Sequence, residues 1–470
     1  MKTLSQSPWA KLMAIGAIVG ILTLVLARIG WLVDDRRGRQ IEAIQSVQQS
    51  QAGAQAVLGP WLHRRCTEEW ETEVGEGKDR RLQTQRREFA LDLAATRLHV
   101  ASQAMAETRY RGLFKVNGYL GRLAFDADWA NLAALEPTGS VRGSRLACEP
   151  VELLLALTDT RGVQRAELQL DGQSLPVAAG TGHAKYTRGL HAVLPERAKA
   201  EPLKAHLAID LRGTGRLDLV PAAGQTEWDL RADWPHPSFG GRFLPAEREV
   251  AEGGFHAVWR VSELASSASR DLAEGTPLCA GQVNTSAAYD DGTVERSAAP
   301  CLDSLAVTFI DPINPYVLAD RATKYGLLFV VLTFVAVALT EVLARPRVRR
   351  IHPVQYALVG LALSLFFLLL LALSEHLSFE WAYAAASLGC AGVLAHYGSH
   401  LLGGWRGGLG FGAALAALYG LLYVLLTREQ TALVVGALGL FALLAVVMAL
   451  TRRIDWYRLF DDFSAPTAVR

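Results

Sequence analysis

Two histidines of the chain, His396 and His400, are spaced for joint chemistry. They lie four residues apart in a long apolar run, so in a helix they share one face and stand about 6 Å apart along the axis. Such a pair could bind a metal or relay protons, because ionisable groups in membrane segments are candidates for function. Both also lie near the end of the run, where headgroups and water would solvate them, and this second interpretation is favoured.

A carboxylate and an imidazole are adjacent at Glu375 and His376, where another apolar run ends. Together they could transfer a proton across a membrane interface. The favoured interpretation is that they cap a helix and fix a loop at the interface. Both remain candidates for contact with a partner.

Three charged residues, Asp320, Arg321 and Lys324, precede the apolar run that begins at Tyr325. We expect them to pair with one another and to fix the join between a soluble and a membrane region. Contact with lipid phosphates is the alternative. Asp320 and Arg321 are therefore candidates for a partner interface as well.

A rigid aromatic segment runs Trp234-Pro235-His236-Pro237-Ser238-Phe239. Its two prolines impose an extended turn. A rigid loop loses little entropy on binding, so Trp234, His236 and Phe239 are candidates for a partner interface. A buried structural turn is the favoured alternative.

Small residues recur every fourth position in one apolar run: Gly404, Gly408, Gly412, Ala416 and Gly420. Small residues allow close approach of membrane helices. Packing within one bundle is the default expectation, and homo-oligomerisation through residues 404–420 is the alternative.

The sequence carries no Walker A loop, no GxGxxG after a strand, no HExxH and no GxSxG elbow, which are the usual motifs of nucleotide and hydrolytic sites. Its net charge of +1 gives no basic field for nucleic acid. We therefore expect a protein that is not an enzyme and does not bind nucleic acid, and we assign no catalytic residue, cofactor or metal ligand.

Long apolar runs must position these residues, since about 20 apolar residues in a helix cross the ~30 Å hydrocarbon core. The run over 12–33 is too long for a signal peptide and predicts a transmembrane anchor, followed by a helical stalk over 34–55. Five further runs predict a transmembrane bundle over 325–450, with spans at 325–343, 354–374, 381–402, 408–427 and 431–450.

Arginines between the runs indicate the orientation of the spans. The loop 344–353 contains Arg345, Arg347, Arg349 and Arg350, and such loops face the cytoplasm. By parity, residues 1–11 and the tail 451–470 are cytoplasmic, whereas residues 34–324 lie on the other side. Three arginines at 36, 37 and 39 lie on the other side and oppose this assignment. The four arginines in the ten-residue loop 344–353 are the stronger indication of the cytoplasmic side.

The region between the first two spans is predicted to be β-rich. In Ala205–Val220, apolar residues alternate with polar ones on either side of Gly213-Thr214-Gly215, as expected of two strands joined by a tight turn. Similar short runs separated by turn residues follow throughout the region. They predict an antiparallel, sandwich-like domain.

Four of the five cysteines lie in this β-rich region: Cys66, Cys148, Cys279 and Cys301. There is no CxxC pair, which disfavours a zinc ribbon or a thioredoxin-like site. Cys279 and Cys301 are the pair to test for a disulfide. Four unpaired thiols fit the sequence equally well.

Four ordered blocks resemble the CreD family of Gram-negative inner-membrane proteins. They are the segment Trp234–Phe239, Asp320-Arg321-Ala322-Thr323-Lys324-Tyr325, His352-Pro353-Val354-Gln355-Tyr356 and Ile454-Asp455-Trp456-Tyr457. The resemblance implies a periplasmic domain on an N-terminal anchor, followed by a bundle in the inner membrane. It also implies a role in cell-envelope integrity, within a regulon under the CreB–CreC two-component system, with links to colicin tolerance and the β-lactam response.

The resemblance supplies no catalytic or ligand-binding residues. The leading hypothesis is therefore a non-enzymatic protein of the envelope-stress response, whose periplasmic domain binds an envelope protein or a cell-wall partner. The alternative is a small transporter or membrane enzyme with its site in the C-terminal bundle, for which Glu341, His396 and His400 are the ionisable candidates.

Overall fold

The structure, a computed structural model, describes residues 8–74, 81–196, 201–279, 301–311, 314–343, 351–402, 404–428 and 432–452. The chain forms two compact units: a helical unit of residues 1–39 and 313–470, and a β-domain of residues 40–312. The predicted combination of a membrane-type helical bundle and a large β-rich domain is confirmed. The four arginines of loop 344–353 and the tail from residue 453 lie outside the described residues.

Eight α-helices occur in the described residues. They are α1 (Pro8–Ser50), α2 (Ala268–Glu274), α3 (Pro315–Lys324), α4 (Gly326–Leu343), α5 (Pro353–Ser374), α6 (Phe379–Leu401), α7 (Trp405–Thr427) and α8 (Ala432–Thr451). The first helix covers the predicted anchor and continues through most of the predicted stalk. Helix α5 begins in a capping box, in which His352 Nδ1 accepts a hydrogen bond from the Val354 N–H and the Gln355 side chain accepts one from the His352 N–H.

Four helices of the described residues are long and apolar enough to cross a membrane: Trp9–Ser50, Pro353–Ser374, Trp405–Thr427 and Ala432–Ala449. Helices α3 and α4, bent by 45° at their junction, would make a fifth span if taken together. Helix α6, at the predicted span 381–402, is not among these apolar helices. The number of spans therefore stays a prediction.

The boundary between the two units falls after residue 312, twelve residues before the predicted end of the β-rich region at residue 324. The reason is packing. Helix α3 buries Leu318 and Ala322 in the same apolar core as Phe329 of α4 and Tyr356 of α5. Residues 314–324 therefore belong to the helical unit.

Helix α1 packs closely against α4 and α5. A Cβ added at Gly360 would stand 2.2 Å from Leu22 Cδ1, and one added at Gly326 would stand 2.8 Å from Leu26 Cδ2. Both distances are below van der Waals contact, so the side chains of Leu22 and Leu26 fill the space that these two glycines leave open. The anchor is thus part of the bundle core.

The β-domain contains two sheets. The strands are β1 (Gln55–Val74), β2 (Arg81–Ala94), β3 (Arg97–Arg111), β4 (Phe114–Trp129), β5 (Arg145–Cys148), β6 (Glu152–Leu157), β7 (Val163–Leu170), β8 (Gln173–Leu175), β9 (Ala178–Ala179), β10 (Gly189–Val193), β11 (Leu203–Thr214), β12 (Arg216–Val220), β13 (Gln225–Ala232), β14 (Pro237–Gly241), β15 (Glu247–Ala251), β16 (Gly254–Ser262) and β17 (Leu305–Phe309). A nine-stranded sheet has the order β14-β17-β12-β1-β6-β10-β9, with β2 and β5 also paired to β1, and an eight-stranded sheet has the order β15-β16-β13-β3-β4-β11-β7-β8.

The two sheets share one apolar core, as a sandwich requires. Val57 and Leu62 of the nine-stranded sheet are buried in one cluster with Val100 and Phe125 of the eight-stranded sheet. Most strand pairs are antiparallel, whereas β1 with β12 and β3 with β13 are parallel.

The chain changes sheets at Gly215. The sequence predicts two strands joined by a tight turn there, and both strands exist, but β11 pairs with β4 and β7 while β12 pairs with β1 and β17. Gly215 has a φ of 74°, which glycine adopts without strain. This corner carries the chain from one layer of the sandwich to the other.

Two disulfides lie in the β-domain. Cys66 of β1 is bonded to Cys148 of β5, and Cys279 is bonded to Cys301. The second bond answers the question that the sequence leaves open, and the first was not anticipated. Cys390, in α6, is a free and buried thiol.

Candidate functional site

The segment Trp234–Phe239 is a structural turn with one exposed imidazole. The Trp234 indole is buried, and its Nε1 donates to the carbonyl oxygens of His236 and Ile310 at 3.0 and 3.1 Å. Phe239 packs edge-to-face on Phe255, whereas His236 is exposed. Of the three predicted interface residues here, only His236 is fully available to a partner.

This turn lies at the end of the β-domain where the chain enters and leaves. The Thr214 Oγ1 donates to the Ala52 carbonyl at 2.8 Å, close to the start of β1, and the Phe309 N–H donates to the Gly215 carbonyl at 2.8 Å, at the end of β17. Trp234 reaches the next residue of the exit, Ile310. We call this surface, formed by residues 52–53, 214–215, 234–236 and 309–311, the junction end.

One buried carboxylate of the helical unit is held by an ion pair. Lys11 Nζ of α1 lies 2.7 Å from both carboxylate oxygens of Glu341 in α4. The Tyr356 hydroxyl and the Ile351 N–H also donate to Glu341, each at 3.3 Å. Glu341 is 5% exposed, so these donors compensate for burying its charge.

A second ion pair joins α1 to α5. Arg36 Nε lies 3.6 Å from Glu375 Oε1, and the Glu375 side chain is largely buried. Glu375 is the C-cap residue of α5, as the favoured interpretation expects, and His376, its partner in the alternative of proton transfer, is exposed. The structure therefore brings Glu375 together with Arg36.

The charged residues of α3 partly behave as predicted. Asp320 Oδ2 pairs with Lys324 Nζ at 3.1 Å, one helical turn away. Arg321 has an interaction partner of its own in the structure. A structural role for this group therefore fits, and contact with lipid phosphates stays a prediction.

The two ion pairs of α1 mark opposite ends of the helical unit. Lys11 and Arg36 are 25 residues apart (36 − 11), which is about 38 Å of helix, slightly more than the ~30 Å hydrocarbon core. Lys11 contacts the C-terminal end of α4, and Arg36 contacts the C-terminal end of α5. The chain therefore leaves α1 and re-enters at α3 from the same end of this unit.

His396 and His400 are both exposed on α6, with ring centroids 5.3 Å apart. His400 Nδ1 lies 3.2 Å from the His396 carbonyl oxygen. Neither ring belongs to the apolar core of the helical unit. A site inside the bundle therefore gains no support from these two residues.

The stripe of small residues on α7 does not face one neighbour along its whole length. A Cβ added at Gly408 or Gly412 would stand 2.6 Å from atoms of Ala395 in α6, whereas one added at Gly404 or Gly420 would meet nothing within 4 Å. Ala416 is exposed. The cause is geometric, since four residues turn a helix through about 400°, so each step rotates the stripe by about 40°.

The structure brings together one group that sequence reasoning missed: His63, Asp92 and His183. Asp92 Oδ1 accepts hydrogen bonds from Trp61 Nε1 at 2.9 Å and from His63 Nδ1 at 2.8 Å, and Asp92 Oδ2 lies 3.6 Å from His183 Nε2. Strands β1 and β2 and the loop before β10 supply these residues. They are 29 and 91 positions apart (92 − 63, 183 − 92), so no local pattern announces them.

Two histidines and one carboxylate are ligand types that suit zinc, but the hydrogen bonds of His183 do not fit a metal. Its Nδ1 accepts from the backbone N–H groups of Lys185 and Tyr186 at 3.2 and 3.1 Å. The ring proton is therefore on Nε2, the atom that faces Asp92. A metal-bound histidine instead donates from its second nitrogen.

The cluster therefore works as a hydrogen-bonded tie between three segments. Burial raises the pKa of Asp92, but hydrogen bonds from His183 and His63 outweigh it, and the pKa lies well below its usual range. His63 is 2% exposed, and its Nε2 has no hydrogen-bond partner among the described residues. Both histidines are buried and only 14% of the Asp92 side chain is exposed, so the cluster is unsuited to receive a substrate.

A second buried carboxylate, Glu68, fixes the loop before β5. It accepts hydrogen bonds from the Ser140 and Ser144 hydroxyls at 2.6 and 2.7 Å and from the backbone N–H groups of Ser140 and Val141. These donors, led by the Ser140 hydroxyl, lower the pKa of Glu68 to about 2. The Cys66–Cys148 disulfide holds the same loop two residues away on β1.

Comparison with known proteins shows the family to which the chain belongs. The model of the family described as "Inner membrane protein CreD" matches residues 7–457. The chain belongs to the CreD family. It is 33% identical over 453 residues to the inner membrane protein CreD of Escherichia coli, covering 96% of this chain and 93% of that protein. The predicted family membership is thus confirmed, and the family is one of inner-membrane proteins.

Two solved structures are weakly similar. Leukotriene A4 hydrolase of Saccharomyces cerevisiae is 11% identical, with 35% of this chain and 26% of that chain covered and a TM-score of 0.20. An M1 zinc metallopeptidase of Deinococcus radiodurans is 9% identical, with 73% and 91% covered and a TM-score of 0.20. At this TM-score neither likeness bears on fold or function.

Proposed function

We propose that this CreD-family protein supports cell-envelope integrity without catalysing a reaction. Its β-domain lies in the periplasm and binds an envelope protein or a cell-wall component, and the helical unit anchors it in the inner membrane. The protein acts within the envelope-stress response. The family membership supports the setting, and the distribution of cysteines supports the compartment.

The observation that carries the proposal is the location of the two disulfides in the β-domain. All four cysteines of the β-domain are bonded, whereas Cys390 in the helical unit is free. Disulfides persist in the periplasm and are rare in the cytosol. The ends of α1 support the same orientation, because the chain leaves for the β-domain at the end opposite Lys11 and the C-terminal end of α4.

The candidate binding surface is the junction end. Trp234 and Phe239 fix the turn, and His236 projects from it. A preorganised loop loses little entropy when a partner binds.

The alternative, a transporter or membrane enzyme, has less support among the described residues. Glu341 is neutralised by Lys11 and held by Tyr356, and both histidines of α6 point away from the core. Replacing His396 and His400 together by alanine should leave envelope resistance to β-lactams unchanged. Loss of resistance with normal protein levels would favour the alternative.

A photocrosslinking residue in place of His236, in the full-length protein in cells, tests the binding surface. We expect it to capture a defined envelope component, identified by mass spectrometry. The matched control is the same residue in place of Asn131, which is exposed just beyond the far end of β4. Capture of the same products from both positions, or from neither, would contradict the assignment of the junction end.

A further inference from the structure

The tip of the hairpin formed by β3 and β4 exposes apolar side chains that the turn does not require. The strands are joined by a two-residue loop, Gly112-Leu113, in which Gly112 has a φ of 61°. A glycine at the first loop position is what such a hairpin turn needs. Leu113 is 51% exposed and Tyr110 is 70% exposed, and neither is explained by the turn geometry.

Cations surround these apolar groups. Arg109, Arg111 and Lys115 lie within three residues of the loop. Two carboxylates oppose these three cations, since Glu107 pairs with Arg109 at 2.6 Å and Asp311 pairs with Lys115 at 2.7 Å. The tip keeps a net positive charge, and Arg111 is exposed beside Tyr110.

The hairpin tip lies beside the junction end of the β-domain. Lys115 bonds to Asp311 and its Nζ also lies 5.9 Å above the Trp234 ring. Asp311 is four residues before Pro315, the first residue of α3. Because an extended chain covers at most about 14 Å over four residues, the covalent link keeps this tip within reach of the bilayer that holds the helices.

We propose that the β3–β4 hairpin tip docks on the anionic lipid surface of the protein's own membrane. Tyr110 and Leu113 enter the headgroup region, where amphipathic aromatic side chains are favoured. Arg111 contacts lipid phosphates, to which cations near a membrane surface are attracted. The contact fixes the β-domain to the bilayer and does not depend on the identity of the envelope partner proposed above.

Lipid photocrosslinking in nanodiscs tests this proposal on the full-length protein. Benzoylphenylalanine replaces Leu113, and lipid adducts are measured by mass spectrometry in discs of phosphatidylglycerol and in discs of phosphatidylcholine. The control position is Leu264, which is 94% exposed. It lies beyond the end of β16 that is level with the start of β3, about 45 Å along the strands from the loop.

We expect lipid adducts at position 113 in phosphatidylglycerol discs and none at position 264. Arg111→Glu removes one cation and adds one anion. Each of these two changes should lower the affinity for an anionic surface about fivefold, so the adduct yield at position 113 should fall about thirtyfold. Arg97→Glu, at the opposite end of β3, is the matched control and should leave the yield unchanged.

Three results would overturn the proposal. The first is no lipid adduct at position 113, or adducts to protein alone. The second is equal yield in phosphatidylglycerol and phosphatidylcholine, which would exclude an anionic-lipid site. The third is an equal loss of yield in Arg97→Glu and Arg111→Glu.

Discussion

The helical unit and the β-domain differ in how many kinds of donor hold their buried carboxylates. In the helical unit Glu341 is paired with Lys11, a full opposite charge on another helix. In the β-domain Glu68 and Asp92 accept hydrogen bonds from hydroxyl, backbone, indole and imidazole donors, while arginines also pair with buried carboxylates there, Arg87 with Glu68 at 3.2 Å and Arg216 with Asp218 at 2.7 Å. The β-domain is also cross-linked by two disulfides, whereas the described part of the helical unit has one free cysteine.

The difference reflects what each unit can use. Apolar helix faces leave few polar groups nearby, so a buried carboxylate needs a countercharge to offset its desolvation. Loops of a sandwich supply many N–H and O–H donors, and an oxidising compartment adds covalent bonds. The comparison therefore predicts that a reductant and acid lower the stability of the β-domain first, whereas removing the charge of Glu341 lowers the stability of the helical unit.

The largest expected effect is loss of the Cys66–Cys148 bond. It closes a loop of 82 residues, and replacing both cysteines by serine should lower the free energy of unfolding by about 4 kcal/mol. The Cys279–Cys301 bond closes 22 residues and should contribute about 3 kcal/mol by the same loop entropy. Urea unfolding of the full-length protein in nanodiscs measures both.

Cys390→Ala is the control for those variants, because it removes a cysteine without removing a disulfide. If dithiothreitol leaves the unfolding midpoint of the β-domain unchanged, the disulfides do not stabilise it and the contrast between the units fails.

The next effect concerns the ion pair at Glu341. Glu341→Leu leaves the Lys11 ammonium without its partner and should cost about 2 kcal/mol, less than a fully buried pair because Lys11 is partly exposed. Lys11→Met combined with Glu341→Leu removes both charges and should recover most of that loss. Melting of the helical signal in detergent checks this order, and a double variant less stable than the single one would refute it.

A third prediction separates the glycines of α7. Gly412→Ala places a Cβ 2.6 Å from that of Ala395 and should destabilise the helical unit by about 1 kcal/mol through overpacking. Gly420→Ala meets nothing within 4 Å and should be neutral or slightly stabilising, since alanine favours helix. Equal melting temperatures for the two variants would show that α6 and α7 do not pack as described.

A fourth prediction concerns the acid response of Glu68. Its pKa is lowered from 4.5 to about 2 in the folded protein, so its carboxylate contributes stability that is fully present above about pH 4.5 and is lost as pH falls toward 2. The melting temperature of the β-domain in the parent protein should therefore drop more over this window than that of Glu68→Gln. Parallel curves for the two proteins would exclude the effect.

Local patterns predicted much of this architecture. Apolar runs such as 354–374 and the alternation in Ala205–Val220 are properties of consecutive residues, and both correspond to helices and strands. The rigid Trp234–Phe239 turn was also visible because proline restricts the backbone locally.

Contacts between distant residues were not predictable from those patterns. Lys11 and Glu341 are 330 positions apart, and His63 meets Asp92 and His183 only through the register of β1 with β2 and the position of the loop before β10. Periodicity also failed to show that β11 and β12 belong to different sheets, because each strand alternates correctly in either case. Tertiary pairing decides all three.

The most direct test of the account is the compartment of the β-domain. Leu264→Cys introduces a thiol at an exposed β-domain position, and Arg347→Cys introduces one in the loop predicted to be cytoplasmic. In spheroplasts with an intact inner membrane, a membrane-impermeant maleimide should label the first variant and leave the second unlabelled until lysis. Labelling of the second variant alone before lysis would contradict a periplasmic β-domain.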